Sequence, residues 1–143
     1  MNKIKPFFMI MLALGVLASS NAFAGPSPEA TEEVRVVAAK AKLEKETNTV
    51  VLYAKGLCCP TCAIGVRKLI SKLDFVDRSR FNKGVDLDTK TQLVTVAISE
   101  QKEVALKPLT KAVWDAGYTP VRVYKLAKGE LQTETLPSEE PKS

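Results

Sequence analysis

All three cysteines of this 143-residue chain fall within five positions, in the stretch Cys58-Cys59-Pro60-Thr61-Cys62. The chain contains no histidine, which excludes histidine general bases, Cys-His nucleophile pairs and imidazole metal ligands. Thiolate sulfur binds soft metal ions, and it also attacks disulfides. The residue types therefore predict sulfur chemistry, either soft-metal binding or thiol–disulfide exchange.

The Cys-x-x-Cys spacing of Cys59 and Cys62 permits both kinds of chemistry. A position at the start of a helix would favour thiolate over thiol, because exposed N–H groups and the positive end of the helix dipole lie there. Two thiolates could converge on one soft cation, or Cys59 could attack a disulfide while Cys62 resolves the intermediate. Cys62 also lies four residues before Val66, so an ordinary buried cysteine is a further interpretation for it.

The elements that must position these thiols are a strand before them and a helix after them. Residues 49–54 are apolar and β-branched over the length of a strand, which ends at Gly56. Pro60 suits the first position of a helix, where its missing N–H costs nothing. Apolar side chains then recur at spacings of three and four, which predicts a helix that covers one face of a sheet: Val66, Leu69, Ile70 and Leu73.

The following residues complete one small domain, predicted from 49 to 126. Residues 76–87 alternate weakly, Asp88-Thr89-Lys90 is a plausible hairpin turn, and 93–98 has strong strand character. A second helix is expected from near Pro108 to its cap at Gly117, followed by a last strand over 119–126. The order predicts an α+β, ferredoxin-like βαββαβ sandwich, with a four-stranded antiparallel sheet and two helices on one face.

Residues 1–24 have the composition of a secretory signal peptide. Lys3 and Lys5 precede an apolar run over 6–18, and Ala22-Phe23-Ala24 is a cleavage site. The run is shorter than the ~20 apolar residues of a membrane span, although an uncleaved anchor is the alternative. We therefore expect a periplasmic protein with no membrane span after cleavage. In that oxidising compartment three cysteines can form at most one intrachain disulfide.

Two flanking segments differ in composition from the central domain. Residues 25–48 are predicted to be a linker with a helix from about 30 to 45, because Val34, Val37 or Ala38, and Ala41 fall at helical spacing. Such a helix could be a solvated spacer or a docking face for a partner. Residues 127–143 are rich in Glu, Ser, Thr and Pro and lack apolar periodicity, which predicts a disordered tail.

Two motifs resemble the heavy-metal-associated domain family. Residues 56–62, Gly-Leu-Cys-Cys-Pro-Thr-Cys, resemble its Gly-Met-x-Cys-x-x-Cys loop. Residues 109–118, Leu-Thr-Lys-Ala-Val-Trp-Asp-Ala-Gly-Tyr, are similar to the second helix of its mercuric-ion and bacterial copper-chaperone branches. The resemblance implies the ferredoxin-like fold and binding of Hg(II) or Cu(I) by Cys59 and Cys62. It also implies that Leu57 anchors the loop in the core and that Tyr118 lies near the loop.

The sequence departs from the family pattern at three places. Leu57 replaces the usual methionine, an apolar exchange of similar size. The section from 76 to 93 is a few residues longer than usual, which predicts an extended or bulged hairpin. Cys58 stands at the variable position before the first ligand, where it is either a third metal ligand, suited to Cd(II), Pb(II) or Zn(II), or a spare solvent-exposed thiol.

These observations predict a periplasmic metallochaperone or scavenger that is not an enzyme and acts as a monomer. It would pass its ion to a metal-transporting membrane protein or another metal-binding domain by transient contact.

Residues 49–126 contain thirteen Lys and Arg and seven Asp and Glu. This excess of positive charge is either an ordinary solvated surface or a face that binds an acidic partner. Nucleic-acid binding is not expected, because no aromatic residues interleave with the basic ones. The alternative of another class is a thiol–disulfide oxidoreductase, and the order of elements argues against it.

Overall fold

The computed structural model of the protein describes residues 29–61 and 63–137. The predicted signal peptide and Cys62 lie outside these ranges. Within them, no helix is both long and apolar enough to cross a membrane. The elements in chain order are α1 (Glu32–Lys45), β1 (Thr49–Lys55), α2 (Ala63–Ile70), β2 (Val85–Asp88), β3 (Leu93–Ala97), α3 (Leu106–Asp115), β4 (Thr119–Ala127) and β5 (Glu130–Thr135).

The strands form one antiparallel sheet in the order β2-β3-β1-β4-β5. Its first four strands, with α2 and α3 as the crossovers, have the connectivity of the ferredoxin-like arrangement. The sequence predicted this arrangement correctly for residues 49–126. The count of four strands and two helices was wrong, because β5 extends the sheet and α1 adds a helix on its other face.

The face of the sheet beneath α2 and α3 holds the larger apolar core. Alternate residues of β1 point into it, and Val50, Leu52 and Ala54 are fully buried there. Both helices bury an apolar stripe at helical spacing against this face. The stripes consist of Ala63, Val66 and Ile70 in α2, and of Leu109, Ala112 and Val113 in α3.

α3 begins and ends close to the predicted positions. Pro108 is the third residue of the helix, where an N–H would have no intrahelical acceptor, so proline is tolerated. At the other end the Gly117 N–H donates to the Trp114 carbonyl at 2.8 Å, and the Tyr118 N–H donates to the Val113 carbonyl at 3.1 Å. With Gly117 at a φ of +86°, these bonds form a Schellman cap.

The prediction of a disordered tail from residue 127 was wrong for β5. This strand pairs with β4 from Ala127↔Glu130 to Arg122↔Thr135. Lys128 and Gly129, which join the two strands, both have positive φ values of 53° and 83°, as a type I′ hairpin turn requires. Most β5 side chains are exposed. The pairing therefore rests on backbone hydrogen bonds that leave little apolar signal in the sequence.

α1 lies on the opposite face of the sheet and is more than a solvated spacer. The helix occupies nearly the predicted residues, but the predicted stripe was wrong, since Val34 and Val37 are 51% and 70% exposed. The buried residues are instead four apart: Arg35, Ala39 and Leu43. The first residue of the buried stripe is an arginine, which gives no apolar signal in the sequence, so the apolar spacing alone placed the stripe wrongly.

The unusually long section before β3 forms an excursion, residues 77–84, between α2 and β2. Val76 bridges to Ile98, and the chain returns to the sheet only at Val85. Gly84, with a φ of +82°, closes the excursion; a Cβ at this position would lie 2.3 Å from Val76 Cγ1 and 2.8 Å from the Asp77 carbonyl oxygen. Only glycine fits both the conformation and the space.

Candidate metal-binding loop

The loop between β1 and α2 is fixed where it leaves the sheet. Gly56 turns the chain with a φ of +92°, and a Cβ built on it would lie 3.6 Å from Tyr118 Cδ1. Leu57 is fully buried, and its N–H donates to the Ala54 carbonyl at 3.3 Å. The structure thus confirms two expectations, that Leu57 anchors the loop in the core and that Tyr118 lies beside the loop.

The structure places Cys58 and Cys59 in different environments. Cys58 is a free, exposed thiol, and its N–H donates to the Gly56 carbonyl at 2.9 Å. Cys59 is half-buried and disulfide-bonded. Its carbonyl oxygen accepts a hydrogen bond from the Ala63 N–H at 3.2 Å. The loop is therefore anchored through Leu57 at one end and through Cys59 to α2 at the other.

The helix begins later than the sequence predicted. α2 starts at Ala63, while Pro60 and Thr61 lie in a turn before it. The Ile64 N–H donates to the Thr61 carbonyl at 3.3 Å, three residues back, whereas the Ala63 N–H donates to the Cys59 carbonyl, four residues back, so one bond of helical spacing already spans Pro60. Cys59 consequently lies four residues before α2. The Cys59 carbonyl accepts the first hydrogen bond of helical spacing, so Cys59 lies at the amino end of α2.

The predicted three-cysteine site stays a prediction. Cys62 lies outside the described residues, and within residues 29–61 and 63–137 no three Cys, Asp or Glu side chains cluster in a way that could hold a metal ion. What the described residues show is Cys59 at the base of α2 with Cys58 exposed beside it. Cys58, Pro60 and Thr61 are exposed, so the described part of the loop is open to solvent.

A second feature near the loop was not singled out from the sequence. A groove of about 440 Å³ runs between α2 and the excursion 77–84, and we call it the basic groove. α2 and the turn after it supply Ile64, Arg67, Lys68, Ser71 and Lys72, and the excursion supplies Asn82 and Lys83. The alternation of apolar and basic residues in α2 indicated one wall, but no sequence pattern predicted that Lys83 would face it.

The fold and the loop define a class of protein, a ferredoxin-like domain with an exposed cysteine loop between its first strand and the helix that follows. No sequence-family model matches the chain. The chain is 38% identical to the mercuric transport protein periplasmic component of an Alcaligenes species over 72 residues, 50% of this chain and 71% of the relative. It is 36% identical to that of Serratia marcescens over 83 residues, 58% of this chain and 84% of the relative.

The chain belongs to the family of the periplasmic components of mercuric transport. Among solved structures it is similar to oxidized MerP from Ralstonia metallidurans CH34, with 36% identity, a TM-score of 0.41, and coverage of 50% of this chain and 90% of that chain. The sequence identity to the named relatives confirms the resemblance to the mercuric-ion branch. Since the relatives are named periplasmic components, the predicted location in the periplasm is confirmed as well.

Proposed function

We propose that the protein binds a soft metal ion in the periplasm through Cys59 and Cys62 and transfers it to another protein. Hg(II) is the first candidate because the relatives are named mercuric transport proteins, and Cu(I) has the same preference for two thiolates. The observation that carries the proposal is the position of Cys59, on an exposed loop anchored by Leu57 and joined to α2.

The bound ion would be held and released by ligand exchange. A thiolate is the metal ligand and a disulfide is not, so the disulfide of Cys59 must be reduced by a dithiol before the ion binds. Each incoming thiolate from an acceptor then replaces one cysteine of the loop. Because the loop is open to solvent, the acceptor can reach the ion before the outgoing sulfur has left.

Cys58 is proposed as an optional third ligand. It is exposed and free, and it directly precedes Cys59. Linear two-sulfur coordination of Hg(II) or Cu(I) does not need it, whereas Cd(II), Pb(II) and Zn(II) favour more ligands. We therefore expect Cys58 to affect the affinity for the second group of ions and to leave the first group nearly unchanged.

The acceptor is proposed to be a metal-transporting membrane protein or another metal-binding domain, met by a monomer in a transient complex. Exposed cations near the loop would speed such an encounter with an acidic surface and make its rate depend on salt. The protein would carry the ion without transforming a substrate. Its role is transport or scavenging, and no catalytic residue is assigned.

A thiol–disulfide oxidoreductase is the second candidate function. The observation in its favour is that Cys59 is disulfide-bonded beside a free, exposed thiol, a pairing from which thiol–disulfide exchange could proceed. In this function the disulfide itself would be the working state. The metal function is favoured because the relatives identified by sequence are named mercuric transport components.

An anaerobic titration of the reduced protein distinguishes the two functions. Hg(II), Cu(I), Zn(II), Cd(II) and Pb(II) would each be added in competition with a thiol buffer, to the wild-type protein and to Cys59→Ser and Cys58→Ser. We expect one tightly bound Hg(II) or Cu(I) per wild-type chain, loss of that binding in Cys59→Ser, and its retention in Cys58→Ser. If no ion competes with the buffer while the protein catalyses disulfide exchange, the oxidoreductase takes the place of the metal function.

A further inference from the structure

We propose that the basic groove binds the carboxylate groups of the small thiols that deliver the metal ion. The substrate of the loop is then a metal complex of anionic, low-molecular-weight thiols, and a bare ion is not required. This inference rests on the proposed function and specifies its substrate. The observations that support it are the walls of the groove, its charge and its position.

One wall of the basic groove is the exposed side of α2 and the turn after it. Ile64, Lys68, Ser71 and Lys72 follow one another at spacings that put them on one side of the helix axis. Ile64 is 58% exposed and gives this wall an apolar side chain beside the cations. Between Ile64 and Lys72 the chain rises about 12 Å at 1.5 Å per residue, a length that suits a small peptide-like thiol.

The other wall is the excursion 77–84, which Arg78 joins to the carboxyl end of α2, while Arg67 joins α2 to the start of β2. Arg78 Nε donates to the Ser71 carbonyl at 2.5 Å, at the carboxyl end of α2. From α2, Arg67 Nε donates to the Val85 carbonyl at 3.3 Å. Gly84 packs against Val76 and Asp77. The wall is therefore fixed, and it is built from the section that is longer than usual for the family.

The charge of the basic groove is not neutralised within the described residues. Arg67, Lys68, Lys72 and Lys83 line it, no carboxylate does, and none of these four cations has an ion-pair partner within residues 29–61 and 63–137. Asp77, in the same excursion, does not line the groove, and its carboxylate accepts hydrogen bonds from Ser79. Four uncompensated cations around one concave site attract an anion strongly.

The position of the basic groove connects it to the metal-binding loop. Ile64 lines the groove and also hydrogen-bonds through its N–H to Thr61 of the loop at 3.3 Å. A ligand whose carboxylates lie among Lys68, Lys72 and Lys83 can therefore extend its sulfur toward the loop. A volume of about 440 Å³ is in the range of small-molecule sites.

The loading reaction is a pair of ligand exchanges without a redox change. In each step one protein cysteine loses its proton and bonds to the metal, and one small thiolate leaves the metal and takes up a proton. A complex with two carboxylate-bearing thiols thus yields the loaded protein and two free thiols. The basic groove would hold the first small thiol during the first exchange, which raises the local concentration of the complex.

The test compares the rate at which Hg(II) is loaded from two donors. One donor is Hg(II) bound by two glutathione molecules, which carry carboxylates, and the other is Hg(II) bound by two molecules of neutral 2-mercaptoethanol. The reduced wild-type protein is compared with Lys68→Gln/Lys72→Gln/Lys83→Gln. A control with the same loss of charge elsewhere is Lys45→Gln/Lys90→Gln/Lys107→Gln. All six lysines are exposed, and rapid quenching with mass spectrometry measures the loaded fraction.

We expect the groove variant to load about tenfold more slowly than wild type from the glutathione complex, a typical electrostatic effect on association, and at the wild-type rate from the 2-mercaptoethanol complex. The control variant should match wild type with both donors. Loading of the groove variant at the wild-type rate from glutathione, or equal slowing with both donors, would overturn the inference. If the wild-type protein loads from neither donor, the proposed metal function itself fails.

Discussion

The two faces of the sheet are stabilised by different interactions. Beneath α2 and α3 the packing is continuous and apolar, from Leu57 at the loop to Val66 in α2 and Leu109 in α3. Beneath α1 it is a smaller cluster in which the Arg35 guanidinium lies 3.9 Å from the ring centre of Tyr53. Glu29 pairs with Arg35 at 3.2 Å and accepts a hydrogen bond from the Tyr53 hydroxyl.

This difference indicates that the functional loop depends on one face more than on the other. The loop is attached through Leu57 and α2 to the apolar core, whereas α1 adds its contacts to the far side of β1 and β4. Disturbing the face beneath α2 and α3 should therefore lower both stability and metal affinity. Disturbing the face beneath α1 should lower stability alone.

The largest expected effect is that of Leu52→Ala, beneath α2 and α3. Leu52 is fully buried at the centre of β1, so its truncation leaves a cavity that α2 and α3 cannot fill. We expect a loss of about 3 to 5 kcal/mol in the free energy of unfolding, together with weaker metal binding. Urea unfolding and the competition titration measure the two quantities. A loss below about 1 kcal/mol would show that this face does not dominate stability.

A smaller effect is expected for Leu43→Ala in α1, the matched change on the other face. Leu43 is also buried, but α1 is a single surface helix that can shift toward the sheet, so we expect a loss of about 2 kcal/mol. Metal affinity should equal that of wild type. A tenfold loss of affinity in Leu43→Ala would show that the two faces are coupled, contrary to the comparison.

Arg35→Ala should lower the free energy of unfolding by less than Leu43→Ala does. The substitution removes the stacking of the guanidinium on Tyr53 and the ion pair with Glu29. It also removes a buried Nε that has no hydrogen-bond partner among the residues that the structure describes. We expect a loss of about 1 to 2 kcal/mol. Arg35→Met keeps the packing of the side chain without its charge and should retain most of the stability in the same urea measurement. An equal loss in both variants would assign the effect to charge.

The smallest expected loss of stability is the one caused by deprotonation of Tyr53 at alkaline pH. Burial, with the hydrogen bond to Glu29, raises the Tyr53 pKa from 10.0 to about 12. A raised pKa means that the folded state holds the proton more tightly, so the stabilisation is complete below pH 10 and is lost as pH rises from 10 to 12. We expect a loss of about 1 kcal/mol by pH 11. Tyr53→Phe should lose less stability between pH 10 and 12 than the wild-type protein. If both proteins have the same dependence of stability on pH, the loss does not come from Tyr53.

The sequence predicted the face beneath α2 and α3 better than the face beneath α1. Apolar residues at regular spacing, such as Val66 and Ile70 in α2, report directly on burial against a sheet. The stripe of α1 was misassigned because Arg35 is buried in it, and an arginine gives no apolar signal. β5 was missed because it is held by backbone pairing with mostly exposed side chains.

The attachment of the candidate metal-binding loop was predicted, but its full geometry was not. The resemblance of residues 56–62 and 109–118 to the heavy-metal-associated family implied that Leu57 lies in the core and Tyr118 beside the loop, and the structure confirms both placements. The start of α2 was placed too early, because a proline suited to the first helical position lies here in the preceding turn. The basic groove depends on the tertiary position of Lys83, which no local pattern contains.

Protection of individual cysteines from alkylation tests the central claim most directly. The reduced protein would be loaded with one equivalent of Hg(II), treated with iodoacetamide, and analysed by peptide mass spectrometry beside a metal-free sample. The proposed site predicts that Cys59 and Cys62 are protected by the metal while Cys58 is modified as readily as in the metal-free protein. Modification of Cys59 and Cys62 at the same rate in both samples would contradict the assignment of the metal to this loop.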